Sequence, residues 1–175
     1  MNPPLIRRAT PADLPRCLAI YTPYVLESLA TFEEVPPGAD AFAERFQAIG
    51  ATGLPYLVAE RDGRVLGYAY AAAYRARAAY RHTVENSIYV DRAAHRQGTG
   101  RALLEALLDE CTRGPWRQMV AVIGDSANAA SIALHARCGF RTAGTLESVG
   151  FKFGRWVDTV LMQRPLGAGD TQAPA

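Results

Sequence analysis

Apolar and polar positions change their period several times along the chain, and each change marks an element. "LIRRAT" opens with a short strand. Thr10 then caps a helix, with Pro11 at its first position and Asp13 in its first turn. Leu14, Cys17, Leu18, Tyr21, Val25 and Leu29 follow at helical spacing, and Pro23 predicts a kink or break among them. "TFEEVPPG" reads as a loop. "ADAFAERFQAIGATG" is a second helix, with Phe42 and Phe46 on one face and Gly50 near its end.

The period then shortens to two. "PYLVAERDGRVLGYAYAAAY" reads as two strands joined at Asp62-Gly63, a strong hairpin signal. "RARAAYRHT" is a polar, basic connection, and "VENSIYV" alternates as a third strand. A glycine-spaced loop leads into the helix "GRALLEALLDECTR", closed by Gly114-Pro115. "RQMVAVIG" is a short buried strand. "NAASIALHARCGF" is a helix with Asn128 at its start and Gly139 as its C-cap. "FRTAGTLESVGFKFGRWVDTVLMQRPL" reads as two final strands turning near Gly150 to Gly154. The predicted order is βααβββαβαββ, with no repeat, linker or composition shift. It describes one α/β (α+β) domain, residues 1–166, with a mixed sheet; the polar residues 167–175 predict a disordered tail.

Composition narrows the function classes. The 175 residues suit a single domain with a sizeable core. Nineteen basic residues against seventeen acidic ones give a net charge of +2, which argues against a nucleic-acid partner. No run approaches the ~18 apolar residues of a membrane span. "MNPPLIRRATPADL" has no apolar signal core, so a cytoplasmic protein is expected. Cys17, Cys111 and Cys138 are far apart, form no metal-ligand spacing and read as small, reduced, buried hydrophobes; no metal is expected.

The chemistry starts at "HRQGTG", His95 to Gly100, between a strand and a helix. A helix start offers free N–H groups and partial positive charge, Gly98 and Gly100 let an anion approach the backbone, and Arg96 and Arg101 add charge. That makes a phosphate cradle. The same glycines also suit a plain tight turn, so the loop alone leaves both readings open. Walker A and dinucleotide fingerprints do not fit, since the lysine and the G-x-G-x-x-G spacing are missing.

"HRQGTG", "VENSIYV" before it and "NAASIALHARCGF" after it together resemble the GNAT superfamily of N-acetyltransferases, over residues from about Leu5 to Leu166. "AYRHTVENSIYV", "SIALHARCGF" and "GFKFGRWVDTVLMQ" are similar to its phosphinothricin and methionine sulfoximine subgroup. The resemblance implies a single GNAT-like domain with a mixed, mostly antiparallel sheet flanked by helices. It implies acetyl-CoA as co-substrate, direct transfer to the α-amino group of a small amino acid or analogue, and a homodimer reached through the late hairpin of Lys152 and Trp156. Arg96, Gln97, Gly98, Thr99, Gly100 and Arg101 would hold the pyrophosphate. Ile88, Tyr89 and Val90 would offer backbone to the pantetheine arm and an oxyanion donor freed by a strand bulge, and Asn128 would flank the thiol. His95 stands where the signature usually has Gln or Arg, and a neutral imidazole gives a phosphate less charge.

Glu85 is the candidate base, in an otherwise apolar-alternating strand where burial would raise its pKa. A structural acid paired with an arginine is the alternative. His135 is the candidate acid for the leaving thiolate, against a purely structural histidine. In the basic connection Arg75 and Arg77, beside Tyr80, suit a substrate carboxylate or phosphinate; a solvated charged loop is the other reading. Phe32 is either an apolar wall for the substrate or core. Two further readings remain: a GNAT enzyme for another amine (aminoglycoside, polyamine or protein N-terminus), and a non-catalytic acyl-CoA-binding module.

Overall fold

The computed structural model describes residues 3–174; the expected domain start at residues 1–2 and the last residue of the expected tail lie outside them. The strands are β1 (Leu5–Arg8), β2 (Tyr56–Arg61), β3 (Arg64–Ala73), β4 (Thr83–Val90), β5 (Gln118–Gly124), β6 (Arg141–Lys152) and β7 (Arg155–Pro165). The helices are α1 (Leu14–Glu27), α2 (Ala39–Ala51), α3 (Thr99–Thr112) and α4 (Ala129–Arg137). Their order along the chain is the predicted βααβββαβαββ.

Seven strands form one sheet in the order β1-β2-β3-β4-β5-β7-β6. All neighbours are antiparallel except β4 and β5. Both hairpin turns place two residues in the left-handed region: Asp62 and Gly63 (φ 52° and 73°) after β2, Phe153 and Gly154 (φ 52° and 73°) after β6. That conformation matches the twist of the paired strands.

Each face of the sheet carries its own core. Leu103, Leu104, Leu107, Leu108 and Cys111 of α3 pack on one face with Leu57, Ala69, Val84 and Met119. Leu14, Cys17, Ile20, Tyr21 and Val25 of α1 and Phe42 of α2 pack on the other with Tyr56, Val58 and Tyr68. Asp13 accepts from both the backbone N–H and the hydroxyl of Thr10, at 2.8 and 3.0 Å, and so fixes the entry to α1. Pro23 does not break α1, which runs on to Glu27. The buried residues on both sides of it, Tyr21 and Val25, hold the helix to the sheet despite the missing donor. After Leu166 two turn hydrogen bonds follow, Gly169 N–H to Leu166 O and Thr171 N–H to Ala168 O.

Candidate active site

β4 and β5 pair from Thr83/Gln118 to Asn86/Ala121, and there the ladder ends. Beyond it β4 stays with β3, up to Val90 opposite Gly67, while β5 follows β7, up to Gly124 opposite Thr159. The two strands form a fork. The bulge expected in β4 is not its cause, because the β3–β4 register runs without a shift. Each strand simply keeps its outer partner. The cleft inside the fork measures about 670 Å³ and is lined by residues of both strands, the loop after β4 and the inner side of α4.

Backbone groups in the fork are unequal. Asp91 N–H donates to Leu66 O of β3, so by strand alternation Ile88 and Val90 turn their N–H and C=O into the fork. Val90 is capped there. Tyr24 Oη donates to Val90 O at 2.7 Å and accepts from Val90 N–H at 3.3 Å. His95 Nε2 lies 3.1 Å from the same carbonyl and 3.2 Å from Tyr24 Oη. His95 therefore closes the end of β4 and does not reach for the glycine loop. Among Ile88, Tyr89 and Val90, the peptide of Ile88 is the one facing the cleft without such a cap.

The loop itself is built around Gly98, whose φ of 81° only glycine adopts at no cost, and which precedes the first turn of α3. A Cβ on Gly100 would sit 3.4 Å from Leu134 and 3.6 Å from Val90, so α3 starts hard against the fork. Thr99 is 1% exposed and its Oγ1 is buried without a hydrogen-bond partner among the described residues. Arg96 is exposed at the rim, and Arg101 Nε donates to Glu105 at 2.8 Å. Gln97 is turned elsewhere. Its side chain bonds to Arg61 Nη1 and Ala93 O, both at 2.8 Å, and it does not line the cleft.

Asn128 caps α4 through Ser131 N–H at 3.2 Å. One helical face further on, His135 borders the cleft and is 4% exposed. Its Nδ1 lies 2.8 Å from Ser131 O and its Nε2 3.0 Å from Asn86 Oδ1. Burial pushes its pKa below the ordinary histidine value, against the pull of the Ser131 carbonyl.

Glu85, Ser87 and Tyr89 point to the opposite face, on the side of α1 and α2, by the alternation of β4. Tyr89 packs edge-on against Tyr21 and Tyr24, with ring centroids 4.8 and 5.3 Å apart. Glu85 is half-buried. Desolvation raises its pKa, and the charge of Arg75 pulls it back. The Arg75 guanidinium sits over the Tyr74 ring at 5.1 Å, and Tyr80 meets the same ring edge-on at 5.7 Å. Arg77 is exposed at the head of the short turn Ala78–Tyr80, and nothing ties it to Glu85.

The loop between α1 and α2 is fixed above this face. A Cβ on Gly150 would fall 2.3 Å from the Phe32 ring, so Phe32 lies directly on β6. Lys152, 2% exposed, donates to Ser28 O at 2.9 Å and Thr31 O at 2.8 Å. Its ammonium also faces the Phe153 ring at 4.9 Å.

A family model described as an acetyltransferase (GNAT) domain matches residues 6–161. The chain belongs to the GNAT acetyltransferase family. It is 59% identical to a phosphinothricin N-acetyltransferase of Alcaligenes faecalis, across 93% of this chain and 82% of that protein. It is 43% identical to an L-methionine sulfoximine/L-methionine sulfone acetyltransferase of Pseudomonas paraeruginosa, across 90% and 92%. The crystal structure of a GNAT phosphinothricin acetyltransferase from Sinorhizobium meliloti in complex with AcCoA superposes with a TM-score of 0.96 at 47% identity, covering 99% of this chain and 94% of that one.

In this GNAT domain the expected residues fall into two groups. Ile88, Tyr89, Val90, Arg96, Gly98, Thr99, Gly100, Arg101, Asn128 and His135 meet at the cleft. Glu85, with Arg75 near by, lies across the sheet. Sequence reasoning missed Tyr24 and Asn86. Asn86 carried a usable signal, a polar side chain on the inward face of a strand between Val84 and Ile88. Tyr24 carried none, because its partner Val90 is 66 residues away.

Proposed function

We propose that the chain is an acetyl-CoA-dependent N-acetyltransferase acting on the α-amino group of a small amino acid or analogue of the phosphinothricin or methionine sulfoximine type. The observation that carries this reading is the fork, with a phosphate-type loop and His135 on one face of the sheet and a half-buried carboxylate on the other. The residues present suit the cofactor. Thr99 has a buried hydroxyl in want of a partner, Gly98 and Gly100 keep the start of α3 bare, and Arg96 and Arg101 supply charge. Acetyl-CoA brings the activated acetyl thioester when bound.

The chain's own groups do the rest. Glu85 takes a proton from the amine, directly or through a water. Ile88 N–H donates to the carbonyl oxygen as charge builds there. His135 protonates the departing sulfur. Holding the two substrates on either side of one gap supplies the larger part of the acceleration. The cation facing Glu85 is Arg75, and it suits the carboxylate of an amino-acid acceptor.

We also propose a homodimer. The outer hairpin exposes Leu146, Val149, Phe151, Phe153 and Trp156, each roughly half or more accessible, on a 12-residue edge strand and its neighbour. Such a surface is the kind a second subunit covers. No helix of the described residues is long and apolar enough to cross a membrane, and a cytoplasmic location is in keeping with three unpaired, buried cysteines.

The test is thiol release from acetyl-CoA with phosphinothricin, methionine sulfoximine, methionine sulfone, spermidine and an aminoglycoside as acceptors. Turnover with the first three is expected. Turnover confined to the cationic amines overturns the acceptor class, and none with any amine favours a binding module.

A further inference from the structure

The side chain of Asn86 stands at the vertex of the fork and touches three elements. It belongs to β4, its Nδ2 donates to Val120 O of β5 at 3.2 Å, and its Oδ1 lies 3.0 Å from Nε2 of His135 on α4. It is 6% exposed. The bond to Val120 fixes its orientation, because a carbonyl oxygen accepts only from the amide nitrogen. His135 therefore meets Asn86 Oδ1, which can only accept, at Nε2, and at Nδ1 both the acceptor Ser131 O at 2.8 Å and the Ser131 hydroxyl at 3.4 Å, which can also donate. A neutral imidazole has one N–H: a bare Nδ1 can still accept from the Ser131 hydroxyl, whereas a bare Nε2 would face the Asn86 oxygen lone pair against lone pair. The doubly protonated ring satisfies both acceptors.

Other groups leave this balance to Asn86. Phe140 meets the imidazole edge-on at 5.1 Å and carries no charge. The titratable groups on the surrounding elements are Glu85, which points to the other face of the sheet, and Arg137, Cys138 and Arg141; among the described residues none is bonded to the ring. Burial works against the charged ring and the Ser131 carbonyl opposes it; Asn86 Oδ1, 3.0 Å from Nε2, is the second acceptor facing the ring.

We propose that Asn86 is a positioning residue for His135, holding a proton on Nε2 of a ring that borders the cleft. The role deepens the acid function proposed above and rests on it for its catalytic meaning. In the transfer the Nε2–H bond breaks and its electron pair stays on nitrogen. A lone pair of the departing sulfur forms the new S–H bond, and the ring ends neutral. Asn86 Oδ1 then faces a bare Nε2, a contact that favours recovery of the proton from solvent before the next cycle.

The experiment is a pH titration of the His135 ring by nitrogen-detected NMR on the free, full-length protein, in wild type, Asn86→Asp and Asn86→Leu. Asn86→Asp keeps the shape and adds a charge, so the midpoint of His135 should rise by ~1–3 units. Asn86→Leu removes the acceptor, so the midpoint should fall and the neutral ring should settle with its proton on Nδ1. Asn86→Thr serves as a third variant should the buried aspartate not fold. A midpoint unmoved in the folded variants overturns the proposal. Kinetics separate it from the acid assignment. If the basic limb of kcat follows the midpoint, both stand. If the ring titrates as expected while kcat does not follow, Asn86 holds the proton but His135 is not the acid.

Discussion

As the proposed base, Glu85 meets two opposed demands, since a base must be ionised and its site half-buries it. Its pKa is raised by desolvation, so the proposed reaction should lose kcat as pH falls through that raised value. Glu85→Gln should lower kcat by about 10²–10⁴-fold with acetyl-CoA binding nearly unchanged, and higher pH should partly restore it as more amine arrives neutral. The same shift predicts a gain in stability. A carboxyl whose folded pKa lies above its unfolded value favours the fold while protonated, and loses that contribution as pH rises through the folded pKa. At neutral pH Glu85→Gln should therefore melt above wild type, which calorimetry checks. A variant with normal kcat and an unaltered pH profile would remove Glu85 from the chemistry. Arg75 gives the companion test. Arg75→Ala should weaken binding of a carboxylate-bearing acceptor by roughly ten- to hundredfold, the loss of one charge-assisted bond of about 1.5–3 kcal/mol. An equal effect from Arg77→Ala is not expected, because Arg77 stands apart from Glu85.

At the level of elements, the proposed hold on the cofactor rests on the backbone shape at the start of α3. Gly98 has open space where a Cβ would go, but its φ of 81° is one that branched residues resist. Gly98→Val should raise the KM for acetyl-CoA at least tenfold by turning the amides of Thr99 and Gly100 out of line, with little change in acceptor KM. Initial rates at varied acetyl-CoA decide this. Periodicity made these elements readable: α3 buries Leu103, Leu104, Leu107 and Leu108 at helical spacing, and Asp62-Gly63 announces its own turn. The fork was not readable. It depends on where a parallel ladder stops, and nothing local in "VENSIYV" or "RQMVAVIG" states that. The orientation of the Gln97 side chain was hidden for the same reason. Its bond to Arg61 joins residues 36 positions apart, and this contact, unlike a spacing, exists only once β2 and the loop have met.

For the whole molecule, the outer hairpin is the part whose sequence makes little sense for an isolated chain. Phe151 and Trp156 pack edge-on at 5.3 Å yet remain 57% and 66% exposed. Trp156→Glu should turn a dimer into monomers in analytical ultracentrifugation, and a wild type that sediments as a monomer at micromolar concentration would end the idea. The fork has a further consequence for how the molecule is used. The cleft of His135 runs from α3 and α4 through the fork to Tyr24 and Ala30, and Glu85 looks out on the α1 and α2 side. Two guests that enter by different doors need not wait for one another. In the proposed reaction either should be able to arrive first, and a dead-end analogue of the amine should leave acetyl-CoA free to come and go. For the proposed reaction, initial-rate and dead-end inhibition kinetics should then show random order, with the sheet between the two queues.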